Sequence, residues 1–183
     1  MDRRQFLKKA GTASALTILV AGSMMTPAEA FASARPTTVL KAPEAATLAA
    51  FGDALVPGAR AAGVAHFIDY QLSLDPNDCL LMAKYFNIVP PYSDFYRAGL
   101  KALNQYTQKT HGKSFEALDA GAARQTVQAI SAANPEGWEG PPAPLFYLLV
   151  RSDAVDVVYG TEEGFEKLGI PYMAHIKPPK SFS

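Results

Sequence analysis

Three histidines, one cysteine and two neighbouring aspartates are the residues of this 183-residue chain whose types could carry chemistry. His66 and Asp69 stand at i,i+3, a spacing that makes a local pair more readily than a metal site. His111 and His175 are remote from both, and no histidine has a second His, Cys, Asp or Glu at a metal-binding interval. Cys79 would need a histidine within reach to act as a nucleophile, and no spacing supplies one. Asp153 and Asp156 share a helix face beside Arg151. As catalysts they would be a general acid and base; as i,i+3 charges they read as a solvated or interface cluster. No Gly-x-Gly-x-x-Gly, no Walker lysine, no serine elbow and no flavin-binding βαβ start occurs. The expectation is a chain with no catalytic residue, metal ligand set or cofactor site of its own.

The N-terminus points elsewhere. "MDRRQFLKKAG" places Arg3 and Arg4 before Phe6, Leu7 and two lysines, and an uncharged run from Ala10 to Gly22 follows. This is the pattern of a leader for the twin-arginine translocase, which moves proteins across a bacterial membrane already folded; Asp2 departs from the usual Ser or Thr. Ala28-Glu29-Ala30 then offers small residues at the positions a signal peptidase reads, so cleavage is expected after Ala30. The apolar run is too short for a membrane span, which needs about 20 residues. The expected location is the periplasm, with membrane association only through a complex. Export in the folded state suits a protein whose cofactor is inserted in the cytoplasm.

Without residues 1–30 about 153 residues remain, one domain by length and large enough to bury a core without staples. The leader holds four of the 17 basic and two of the 17 acidic residues, so the remainder carries a net charge of about −2. With no basic stripe, nucleic acid is not an expected partner. A lone cysteine in an oxidising compartment reads as a buried thiol, with a bridge to another chain as the alternative.

The elements that must position these residues are helical. Residues 31–42 read as a flexible linker. "PEAATLAAFGDALVPG" spaces Leu48, Phe51 and Leu55 three and four apart and ends at Pro57-Gly58. "GVAHFIDYQLSL" aligns Val64, Phe67, Ile68 and Leu72. "DPNDCLLMAKYFNIV" reads as a further helix capped by Asp75, with Pro76 in its first turn. The strongest period runs from Tyr92 through Phe95, Tyr96, Gly99, Leu100 and Leu103 to Tyr106, a single stripe stopped at Gly112. Asp119 caps the next helix, with Val127 and Ile130 inward. After a Gly/Pro-rich loop around Trp138, "PLFYLLVRSDAVDVVYG" is apolar over most of its circumference, which makes it central or covered. No strand ladder is visible. The fold class is all-α: one domain of five to six helices over residues 43–160, with an irregular C-terminal arm over 161–183.

Three stretches together resemble the gluconate 2-dehydrogenase subunit 3 family: "GVAHFIDYQL", "FYRAGLKALNQYTQKTHGKSFEALDAGAARQTVQAI" and "PLFYLLVRSDAVDVVYGTEEGFEKLGIPYMAHIKPP". They cover nearly all of residues 44–179. The resemblance implies a small exported subunit without catalytic residues. It would accompany a large FAD-containing subunit of the glucose-methanol-choline oxidoreductase type, often with a cytochrome c as acceptor. The small subunit supplies the leader and the folded pair crosses together, so the FAD sits in the partner and none in this chain. Many members continue after the Tyr-Gly turn with a Gly/Asn-rich segment and a Trp. Here Tyr159-Gly160 and Gly169-Ile170-Pro171 remain but that Trp is missing, so the substrate stays open among sugars and other alcohols.

The arm holds Phe165, Ile170, Pro171, Tyr172, His175 and Pro178. Ordering such a segment costs about 1–2 kcal/mol per residue, which burial on a partner at about 25 cal/mol per Å² could offset. The expected docking surface is therefore this arm with Trp138, Tyr159 and Gly160; folding of the arm over its own last helix is the alternative. A second functional reading is a free-standing periplasmic helical binding protein, with a ligand among Tyr92, Tyr96 and Tyr159.

Overall fold

The computed structural model describes residues 17–20 and 22–170. Arg3, Arg4, Phe6 and Leu7 lie outside the described residues, as do Pro171, Tyr172, His175 and Pro178. The described residues start with a short antiparallel hairpin, β1 (Ile18–Val20) and β2 (Ser23–Met25), followed by α1 (Pro27–Ala32). Five longer helices build the domain: α2 (Ala42–Leu55), α3 (Val64–Leu72), α4 (Tyr92–His111), α5 (Ala120–Ala132) and α6 (Ala143–Tyr159). A six-residue α7 (Glu162–Lys167) closes the described chain.

The helices begin and end where local chemistry places them. Glu44 reaches back to the Lys41 amide at 2.7 Å, holding the first turn of α2. Gly112 stops α4 in the left-handed conformation at φ 69°, which glycine adopts without steric cost. Asp119 accepts from the amides of Gly121 and Ala122, both at 2.9 Å, and so caps α5. Asn134 takes the Ala143 amide at 2.6 Å at the start of α6.

Helix α6 is the centre of the domain. Phe146, Leu149, Val150 and Ala154 are all fully buried, and α2, α3, α4, α5 and α7 all pack on it. Neighbours thus cover most of its apolar circumference, and Leu148, Arg151 and Asp156 mark the face left exposed. Phe146 stacks on Phe51 of α2 at 5.4 Å between ring centroids and lies 6.2 Å from Phe95 of α4. The close crossing of α4 over α6 depends on Gly99. A Cβ there would meet the Phe146 ring at 2.3 Å.

Two elements differ from the sequence reading. Residues 75–90 form no α-helix. Asp75 instead closes a tight turn by accepting from the Asn77 amide at 2.8 Å. The chain then runs extended, with Cys79 1 %, Leu80 54 % and Leu81 0 % exposed. That alternation is a period of two, and a single 3-10 turn over Met82–Tyr85 follows. Cys79 is a buried free thiol, as expected, but not on a helix. Helix α7, capped by Thr161 on the Gly164 amide at 3.0 Å, falls in the stretch read as irregular. Six residues are too few to display a helical period.

Residues 37–41 also do not run free. Asp69, buried in α3, takes the Thr38 amide at 2.7 Å and the Thr38 hydroxyl at 3.1 Å on one oxygen. Its other oxygen takes the amides of Val39 at 2.8 Å and Leu40 at 2.7 Å. Arg97 of α4 donates to the Val39 carbonyl from the other side. Asp69 is therefore a clamp on the segment leading into α2, not a partner of His66, whose Nε2 meets the Arg35 carbonyl at 2.8 Å. An Asp69→Asn chain offers one acceptor oxygen to four donors and should lose about 2 kcal/mol of stability. Urea unfolding at unchanged slope measures it; a midpoint equal to wild type would show that the clamp carries no stability.

Candidate functional site

The carboxylates of α6 do not form a solvated pair. Asp153 is 0 % exposed, whereas Asp156 faces outward. One oxygen of Asp153 accepts from the Tyr96 hydroxyl at 2.5 Å and the other from the Met82 amide at 3.2 Å. A single buried side chain on α6 thus ties down α4 and the 3-10 turn. Burial pushes Asp153 up to about 7, the bonds from Tyr96 and the Met82 amide oppose the rise, and the nearby Asp156 charge adds to it. Burial first, and then the Asp153 charge, hold the Tyr96 phenol well above its usual range. Such a group has a hydrogen-bonded partner on each oxygen and no face toward solvent, so it organises the fold.

The same bond removes Tyr96 from any ligand cleft, since its hydroxyl is committed and its ring fully buried. Tyr92 is buried and Tyr159 half-buried. Among the described residues no group of three metal-ligating side chains occurs, and no helix is long and apolar enough to cross a membrane.

The surface residues singled out from the sequence divide into two places. Trp138 is half-buried; its Nε1 donates to the Pro141 carbonyl at 2.7 Å and its ring lies 6.3 Å from Phe146, near the start of α6. Tyr159 and Gly160 end that helix. Thirteen residues separate Phe146 from Tyr159, about 20 Å along the axis, so Trp138 and the Tyr-Gly turn are not one patch. Phe165 sits on α7 beside the Tyr159 end, and the Ile170 amide returns to the Phe165 carbonyl at 3.0 Å. Ile170 at 49 % and its neighbour Leu168 at 50 % are exposed.

A more prominent apolar surface escaped the sequence reading. Leu80, Tyr85, Phe86 and Val89 are all exposed on the connection between α3 and α4, Tyr85 by 67 % and Val89 by 82 %. Four large apolar side chains exposed within ten residues are a concentration of the kind that interaction sites show. Its signal was present in "LLMAKYFNIVPPY" but was masked by assigning a helix there, which would have turned part of the run inward.

These features describe a small helical protein with an apolar core that encloses the paired carboxylates Asp69 and Asp153, and with apolar side chains exposed at two sites. A model of the gluconate 2-dehydrogenase subunit 3 family matches residues 42–175, from the first residue of α2 into the C-terminal arm. The chain belongs to that family. Membership implies a small subunit of a dehydrogenase complex. The matched span includes Asp69 itself, the Tyr96–Asp153 bond and the apolar connection, whereas the hairpin, α1 and the clamped residues 38–40 precede it. A search of curated proteins and a search of solved structures each gave no match.

Proposed function

We propose that this chain is the non-catalytic small subunit that exports and stabilises an FAD-dependent sugar or alcohol dehydrogenase in the periplasm. The observation that carries the reading is the presence, on one polypeptide, of the subunit 3 domain over 42–175 and the Arg3-Arg4 leader ahead of it. The described residues do not fit a flavin. They contain one two-stranded hairpin and no parallel βαβ unit with a glycine-rich turn to hold a pyrophosphate. In this reading, as the family resemblance implies, the FAD sits in a large partner of the glucose-methanol-choline type, with a cytochrome c as further electron acceptor.

The docking face combines Leu80, Tyr85, Phe86 and Val89 with the arm from Tyr159-Gly160 through Phe165 and Ile170 to Pro171, Tyr172, His175 and Pro178. Aromatic side chains dominate the binding energy of many interfaces, and Tyr85, Phe86, Phe165 and Tyr172 supply them here. Trp138 lies about a helix length away and contributes to binding only if the partner spans that distance.

Replacing Arg3 and Arg4 by lysine should reduce periplasmic dehydrogenase activity and the periplasmic amount of the large subunit to background, with both chains retained in the cytoplasm. Cell fractionation with flavin absorbance and immunodetection of both chains measures this. Undiminished export of the large subunit, or flavin bound by this chain produced alone, refutes the reading.

A further inference from the structure

The structure assigns the processing point of the leader to the Ala34–Arg35 bond, four residues beyond the cut suggested by the first small-residue triplet. This rests on the export reading above. Signal peptidases read small residues three and one positions before the cut. The segment "AEAFASA" offers that pattern in three overlapping registers, with cuts after Ala30, after Ala32 or after Ala34. Sequence alone cannot choose among them. A twin-arginine leader reaches the peptidase attached to a folded domain, so the fold can.

The first two registers lie in α1. That helix is closed by a reciprocal cap in which the Thr26 amide meets Glu29 Oε2 at 2.8 Å and the Glu29 amide meets Thr26 Oγ1 at 3.1 Å. Ala30 is 0 % exposed, and Pro27, Ile18 and Val20 are buried with it. The helix lies against the start of α3 at Gly63, whose φ of 81° and missing side chain admit it. A Cβ on Gly63 would stand 2.0 Å from the Pro27 carbonyl oxygen. Phe31 adds an edge contact to the His66 ring at 6.4 Å. Presenting Ala28–Ala30 as an extended strand means unwinding this helix and withdrawing its buried face.

The third register reads Ala32, the exposed last residue of α1, and Ala34 beyond the helix end. Ser33, Ala34, Arg35 and Pro36 are all exposed. Ala34 holds φ 49°, a left-handed conformation that costs a non-glycine residue about 1 kcal/mol and is relieved when the segment is drawn out. Downstream the chain is held again, by His66 on the Arg35 carbonyl and by Asp69 on residues 38–40. Residues 33–36 are thus an exposed turn, bonded back to α1 through the amides of Ser33, Ala34 and Arg35, where cleavage needs less local opening than within the buried helix. Water adds to the Ala34 carbonyl and the C–N bond to Arg35 breaks. Ala34 leaves with the leader as a carboxylate, and Arg35 gains the new α-amino group three residues ahead of the Asp69 clamp.

The test is N-terminal sequencing and intact mass of this chain, purified from the periplasm as its complex with the large subunit. The expected N-terminus is Arg35. Ala34→Leu should leave the leader attached or slow its removal, whereas Ala28→Leu, at an exposed position that only the Ala30 register uses, should leave the N-terminus at Arg35. A wild-type chain starting at Phe31 or Ser33, a periplasmic chain that keeps its leader, or loss of processing in Ala28→Leu overturns the assignment while export stands. A chain found only in the cytoplasm, still beginning at residue 1 or 2, overturns the export reading and the assignment together.

Discussion

Replacing Asp153 by asparagine should abolish a pH dependence of stability that spans on the order of 4 kcal/mol in the native sequence. The sign follows from the direction of the shift. Asp153 titrates at about 7 in the folded chain against an ordinary 3.8, so between those values the folded state binds more protons than the unfolded one. Stability from this group is therefore fully present below about pH 4, falls by roughly 1.4 kcal/mol per pH unit, and is lost once pH has passed through 7. The asparagine side chain is neutral throughout and keeps an oxygen for the Tyr96 hydroxyl. The difference between wild-type and Asp153→Asn urea midpoints should thus change steadily from pH 4.5 to pH 8 in favour of the variant, and parallel curves would exclude the buried carboxyl as its source. Asp153→Ala separates the hydrogen bonds from the charge. It leaves the Tyr96 hydroxyl and the Met82 amide without their acceptor in a buried place, at about 1–3 kcal/mol each, and should therefore be most damaging near pH 5, where the native carboxyl is largely protonated and stabilising.

Truncation of Phe146 should be the most damaging change to the apolar core, about 3–5 kcal/mol for Phe146→Ala. Its ring is fully buried, stacks on Phe51 with an interplanar angle of 5° and also meets Phe95 and Trp138, so three other elements would line the resulting cavity. The same ring predicts the reverse experiment. Gly99→Ala forces a methyl to 2.3 Å from Phe146 and should cost about 1–3 kcal/mol by overpacking. That cost should shrink in a Phe146→Leu background, because contacting residues do not add independently. Trp138 is the only tryptophan and lies on the Phe146 ring, so its fluorescence follows unfolding in all four chains. Additive losses for Gly99→Ala and Phe146→Leu would mean that the two helices do not cross through this contact.

Both experiments probe contacts that no local pattern announces, whereas the helices that make them were legible. The stripe from Tyr92 to Tyr106 is a repeat of threes and fours within one segment, and α4 follows it to Gly112. Leu48 and Phe51 on α2, Val64, Phe67 and Ile68 on α3, the Asp119 cap and the all-round apolar α6 were visible for the same reason. The family was legible too, because its motifs are short ordered strings spread along those helices, and the match over 42–175 agrees with them.

What the amino-acid order determined by itself is therefore whatever neighbours along the chain decide: helix period, caps, stops, and membership in the family. Tertiary structure decided where polar groups find partners. The Leu80 amide is satisfied by Gln71 at 2.7 Å and the Met82 amide by Asp153, 71 positions later, and those bonds let residues 75–90 leave the helical state that their composition favours. Burial of Asp153, the clamp of Asp69 on residues 38–40, the separation of Trp138 from Tyr159 and the burial of Ala30 where α1 packs against α3 all arise in the same way. Each depends on which segment arrives from elsewhere to exclude water, and a buried polar group must be paired by whatever that segment brings.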